Sequence, residues 1–229
     1  TPDDPNFISE YHILVEESRT EIIHTLEEIK QAVESGDFRL IEYERMSAIM
    51  FERHLYQPLL YLGNGIDIEI KPVALNEGEK DFVKDLKHYY DANPEIFEGK
   101  ELYLLRNRSR GSGIGFFEAG NFYPDFILWV VKDDQQHVAF IDPHGMGREG
   151  IESPKVQFYM KIKEIEEELG DPEVVLDSFI VSPTPLAEIP QQTRSMNREE
   201  WEARHVLFQT DDQHEYISKL FDKLNFIDS

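Results

Sequence analysis

The hairpin implied by Asp133-Asp134 constrains this chain more than any other feature. On one side lies Phe122 to Val131, which contains the longest unbroken apolar run, Phe126 to Val131, and on the other lies His137 to Asp142. Two short apolar runs joined by a tight polar turn read as neighbouring antiparallel strands. If the turn is centred on that pair, Asp125 falls directly opposite Asp142 on one side of the sheet. In an unbulged hairpin their Cβ atoms stand roughly 5 Å apart. Like charges so placed repel unless something compensates. A divalent cation is an economical compensator, because Mg²⁺ and Mn²⁺ favour carboxylate oxygens at short range. Period-two alternation adds His144 to the face of Asp142, and Tyr123 to that of Asp125.

Composition limits what such a site can serve. The 229 residues carry 23 Lys and Arg against 46 Asp and Glu, a formal net charge of −23, yet 40% are hydrophobic and 12% aromatic. A chain of this kind can bury a core, so its acidity reads as a solvated surface rather than disorder. It cannot coat nucleic acid by bulk charge, which needs clustered cations. The one local exception is Arg106, Arg108 and Arg110, with no acid between them. That run reads either as phosphate contacts or as an exposed hairpin with charges on its solvent face. Cysteine is absent, excluding disulfides, thiolate nucleophiles and Cys-ligated metals. No segment is apolar enough to span a membrane and the N-terminus is acidic rather than signal-like, so a cytoplasmic protein with no membrane partner is expected.

The periodicity predicts a helical N-terminal region over residues 1–65, with a helix from about Phe7 to Val33 ended by Gly36-Asp37. Phe38 to Tyr61 reads as a short strand and then a helix stopping before Pro58. Ile66, Ile68 and Ile70 alternate with polar residues as in a half-buried strand. Asn76, followed by Glu79, opens a helix whose apolar stripe is Phe82, Val83, Leu86, Tyr89 and Tyr90. Strands are predicted at Glu101 to Asn107, Phe122 to Val131, His137 to Asp142 and Val174 to Val181. A helix covers Pro154 to Leu169. The fold class expected is α/β, a mixed sheet flanked by helices over 66–182. Residues 183–229 form a C-terminal segment packed on it: a helix opening at Asn197, a strand at Val206 to Phe208 and a helix from Gln213 to Leu224. Gly111 to Gly115 has G-x-G-x-G spacing without a following Lys-Ser/Thr, and flanking strands make it a hairpin turn rather than a phosphate loop.

Glu79 allows two readings. Its spacing from Phe82, Val83 and Leu86 puts it on the face packed toward the sheet, where a carboxylate needs a partner. It also stands where a capping box with Asn76 requires an acid.

Tyr123-Pro124-Asp125 followed by Asp142-Pro143-His144, with an acid on the preceding helix, resembles the catalytic core of PD-(D/E)xK nucleases. The order of helix, three strands, helix, strand matches that restriction-endonuclease-like fold. More closely, Leu75 to Glu79, Leu104-Leu105-Arg106-Asn107, Gly113 to Phe117, Phe122 to Phe126 and Phe140 to Gly145 resemble the C-terminal nuclease region of bacterial DEAD/DEAH-box helicases related to type III restriction subunits. The likeness spans about Asn76 to Val181.

The resemblance implies metal-dependent hydrolysis of DNA phosphodiesters, in bacterial restriction or anti-phage defence, by a module attached to a helicase or motor. Asp125 and Asp142 would hold Mg²⁺ or Mn²⁺, and Glu79 would complete the coordination or bind through water. Arg106, Arg108 and Arg110 would contact DNA phosphates. His144 stands where the common pattern has Lys, so a fixed positive charge is replaced by a group mostly neutral at pH 7 when unperturbed. That leaves three roles for His144: general base, extra ligand, or mark of a nuclease that has lost activity. The alternative function is a catalytically inactive DNA-binding or partner-docking module, and a nucleotide-specific enzyme is a third. The remaining histidines show no metal-ligand spacing, and no G-x-S-x-G nucleophile is present.

Overall fold

A computed structural model describes residues 11–36, 40–43, 45–51, 58–63, 66, 68–107, 113–116, 120–147, 149–189 and 196–225. Contacts divide the chain into two compact units, Thr1–Lys84 and Asp85–Ser229. The boundary falls inside a helix, further along than the 65/66 junction expected from sequence, and residues 183–229 belong to the second unit.

Over residues 1–65 the first unit keeps the expected helix ended by Gly36 but is otherwise built of strands rather than helices among the described residues. Strand β1 (His12–Leu14) precedes helix α1 (Thr20–Ser35), which ends on Gly36 in the left-handed conformation (φ 72°). The stretch read as strand-then-helix forms β2 (Leu40–Tyr43), β3 (Met46–Ile49) and β4 (Leu59–Leu62), paired antiparallel in that order. Strand β1 pairs with β5 (Glu69–Lys71). The absence of alternation accounts for the error: all four residues of β3 are buried, and Ala48 and Leu60 sit with Ile29 of α1 in one small core, so the apolar run does not distinguish a short strand from a helix. Helix α2 (Glu77–Ala92) opens with the anticipated capping box.

The second unit holds the mixed sheet. Strands β6 (Glu101–Arg106), β7 (Phe126–Lys132) and β8 (Gln135–Pro143) form an antiparallel meander. Helix α3 (Pro154–Leu169) then leads to β9 (Val174–Ser182), parallel to β8, and β10 (Val206–Phe208) adds a further parallel strand. The spatial order is β10-β9-β8-β7-β6. Parallel neighbours need a crossover, and α3 supplies it. Its buried Phe158 and Ile162 meet Ile127, Val138, Phe140 and Leu176, with Phe122 edge-on to Phe158 at 5.2 Å between centroids. Trp129, half-buried, packs on the same cluster.

Short helices α4 (Arg198–Glu202), α5 (Gln209–Asp212) and α6 (Glu215–Leu224) close the unit. Asn197 and Glu200 form the capping box their spacing implied. Ion pairs tie these helices to one another: Arg198 to Asp211 at 2.8 Å, and Lys219 to both Glu202 and Asp212 at 2.8 Å. Phe221 of α6 stacks on Tyr89 at 5.2 Å, and Phe97 meets its edge at 5.3 Å. Fully buried Tyr216 donates to Asp85 at 2.8 Å.

Strand β10 covers only the last three residues of β9, and polar groups cover part of the rest. Buried Asp177 lies 3.3 Å from Lys163 and 3.7 Å from His205. Burial raises the Asp177 carboxyl above its usual range, against the pull of Lys163. His205 lies flat on Phe179, 4.8 Å away, and donates from Nδ1 to the Ser178 carbonyl at 3.1 Å. Burial pushes its pKa from 6.5 down to about 4, and the charges of Lys223 and Lys163 act in the same direction. Between those values the unfolded chain takes up a proton that the folded chain refuses, so stability contributed by neutral His205 is lost as pH falls. The urea midpoint of His205→Gln is therefore expected to drop less than that of the native chain between pH 6.5 and about 4. Equal drops would contradict the buried neutral imidazole.

Candidate active site

The hairpin register is the one its turn dictated. Lys132 pairs with Gln135 across the Asp133-Asp134 turn, and the ladder runs to Phe126 opposite Ile141. Asp125 and Asp142 are the next positions along the two strands. Asp125 directly precedes β7, follows buried Pro124, and accepts at its carbonyl from the Asn107 N–H at 2.7 Å. Asp142 is still within β8, paired in register with Ile180 and only 3% exposed.

A carboxylate buried so deeply requires a compensating charge. Lys155 supplies it: Nζ donates to Asp142 Oδ2 at 2.9 Å while lying 5.5 Å from the centre of the Phe122 ring. Lys155 is in the first turn of α3, next to the Pro154 that starts it, and no acid occupies that turn. A cation there opposes the helix dipole, which favours negative charge at the N-terminus. That local misfit, in a chain rich in acids, was the signal by which the sequence could have betrayed Lys155. The reading missed it because it sought the cation two residues after Asp142.

His144 occupies that place and is turned to another partner. Its backbone N–H extends the β8/β9 ladder to the Val181 carbonyl at 3.0 Å, and its Nε2 is 3.2 Å from Glu149 Oε1. Glu149 also accepts from the Ser153 hydroxyl just before α3. This Glu149–Ser153 tether was not anticipated either. It joins the loop after β8 to the start of the helix bearing Lys155, so His144, Asp142 and Lys155 are held at one end of the sheet. That end combines the carboxyl termini of the parallel strands β8 and β9 with the amino terminus of α3, where ligands of α/β sheets commonly bind.

Glu79 is explained without a ligand. Its carboxylate accepts from the Asn76 N–H and its own N–H donates to Asn76 Oδ1, both at 2.9 Å, in the first compact unit. Arg106 ends β6 in register with Phe126, one position from Asp125. Arg108 and Arg110 lie outside the described residues.

Among the described residues no three His, Asp or Glu side chains gather as a metal cluster. The pair Asp125 and Asp142 still suits Mg²⁺, which keeps several waters and commonly takes only one or two carboxylates together with substrate phosphate. No protein-family model, curated protein or solved structure matches the chain.

If Lys155 is the compensator of Asp142, its removal should hurt chiefly by orphaning the acid. Lys155→Met is expected to cost about 1–3 kcal/mol, and Lys155→Met combined with Asp142→Asn should recover most of that loss in a denaturation cycle. Additive losses would show that the two groups do not interact.

Proposed function

We propose that this chain is a divalent-metal-dependent deoxyribonuclease with a restriction-endonuclease-like core, acting as the nuclease module of a helicase or motor in bacterial restriction or anti-phage defence. The observation that carries this reading is the buried Asp142, bonded to Lys155 beside Asp125 at the amino terminus of α3. A core of stable fold gains little from burying an ion pair at its edge, since apolar replacements are often as stable. A chemical use accounts for its presence.

In this reading Asp125 and Asp142 hold Mg²⁺ or Mn²⁺. The metal, when bound, activates water and neutralises charge on the scissile phosphate. Lys155 supplies the fixed positive charge that His144 cannot, close to the carboxylate that orients the reacting groups. The amino terminus of α3 adds its own positive potential there. His144, oriented by Glu149, is placed to accept a proton from water. Arg106, with Arg108 and Arg110 on the following stretch, contacts DNA phosphates. The strongly acidic surface leaves bulk DNA affinity to the motor, so the isolated module binds DNA weakly. Among the described residues no helix is long and apolar enough to cross a membrane, and the cytoplasm is the setting this reading assigns.

A second reading is favoured by a specific contact. Lys155 already occupies Asp142 Oδ2, and His144 is tied to Glu149, an arrangement that also suits a nuclease-like module that binds DNA or a partner without cutting it.

The discriminating experiment is cleavage of plasmid and oligonucleotide DNA with Mg²⁺ or Mn²⁺. The native chain is expected to cut, Asp142→Ala to abolish cutting, and Lys155→Ala to slow it about 10²-fold or more, the usual cost of a charge aimed at the transition state. No cleavage by the native chain, with a gain in His144→Lys, would favour the non-cutting reading.

A further inference from the structure

Asn107, the residue immediately after β6, divides its backbone N–H and its side-chain amide between the segment that bears Asp125 and the backbone at Ile114. Its backbone N–H donates to the Asp125 carbonyl at 2.7 Å. Its side-chain Nδ2 donates to the Pro124 carbonyl at 2.8 Å and to the Ile114 carbonyl at 2.8 Å, while Oδ1 accepts from the Ile114 N–H at 2.9 Å. One amide thus bridges two backbone stretches that are otherwise seven and seventeen residues away.

Two further contacts stitch the same stretches together. Phe116 and Phe122 exchange backbone hydrogen bonds at 2.8 and 3.1 Å. Gly115 lies so close to Tyr123 that a Cβ there would stand 2.3 Å from the ring, so only glycine admits this approach. Pro124 has no N–H, and it therefore cannot anchor itself through a ladder donor. The turn before β7 is held through its carbonyls instead, and Asn107 is the donor at two consecutive ones. Neither Asp, which lacks the amide hydrogens, nor Ser, which is too short to span both stretches, can replace it.

We propose that Asn107 is a positioning residue for Asp125: by clamping the Pro124 and Asp125 carbonyls it fixes the backbone that presents the carboxylate, and by gripping Ile114 it makes the stretch Gly113 to Phe116 part of the same support. The inference rests on Asp125 being a metal ligand, as set out above. Residues that orient a ligand without touching the metal typically change its affinity by about 10–100-fold.

The test is Mn²⁺ binding followed by electron paramagnetic resonance, together with thermal unfolding, in the native chain, Asn107→Ala, Asp125→Ala and Val131→Ala. Val131 is at the far end of β7 and reports the effect of destabilisation alone. Asn107→Ala is expected to weaken Mn²⁺ about tenfold, with unfolding shifted no more than in Val131→Ala, and cleavage at saturating Mn²⁺ should recover. Should Asn107→Ala fail to fold, Asn107→Ser, which keeps a hydroxyl for one of the bonds, is read in the same way. Asn107 variants that bind Mn²⁺ like the native chain, while Asp125→Ala does not, overturn the positioning role and leave the nuclease reading standing. A native chain with no Asp125-dependent Mn²⁺ site overturns both.

Discussion

The burial of one carboxylate at the carboxyl end of the sheet's central strand organises the second unit. Asp142 lies in β8, between β7 and β9, where apolar neighbours would ordinarily be expected. An ionised group in that position is tolerated only with a partner and hydrogen bonds to satisfy it. The partner has to come from outside the sheet, because the flanking strand positions are apolar or acidic. The helix that crosses between β8 and β9 is the element that can reach, and its first turn delivers Lys155 to the carboxylate. The crossover that makes β8 and β9 parallel is thereby also the crossover that makes Asp142 possible.

The rest of the sheet end follows from holding that helix start in place. Ser153 and His144 share Glu149, which ties the loop after β8 to the beginning of α3. Phe158 and Ile162, one and two turns further on, dock the helix on the apolar face of the meander. Asn107 performs the matching task for the turn before β7. Two carboxylates thus approach from the beginning of one strand and the end of its neighbour, each braced by an element other than its own. Such bracing gives the side chains a fixed geometry at small cost in conformational entropy when a ligand arrives. Elsewhere in the unit, opposite charges are spent on one another, as in the Arg198, Lys219, Asp211 and Asp212 network. Among a large excess of acids, a cation aimed at a buried aspartate therefore has local meaning that net charge conceals.

Much of this unit was legible in the sequence because its signals are local. The Asp133-Asp134 turn sets the register of β7 and β8, the Pro154 start and Gly170 stop bound α3, and the spacing of Asn197 to Glu200 marks a capping box. In the first unit the helix ending at Gly36 was legible, but the described strands β2, β3 and β4 were misread in part. Strands of three or four residues contain too few positions to separate a period of two from one of 3.6, and β1 finds its partner β5 far along the chain. Lys155 was missed because a contact between a strand and the following helix has no fixed spacing. Glu149 and Asn107 were missed because a loop polar residue looks alike whether it faces solvent or clamps a neighbouring backbone. Glu79, by contrast, met its local rule, and the capping box accounts for it.

The claim on which the account stands is that Asp125 and Asp142 form one metal-binding site beside Lys155. Anomalous scattering from crystals soaked in Mn²⁺ tests it most directly. The account predicts an anomalous peak within coordination distance of both carboxylates, with the Lys155 ammonium adjacent and the Asn107 clamp intact. Saturating Mn²⁺ that leaves no peak at Asp142, or a peak held by other residues, would contradict it.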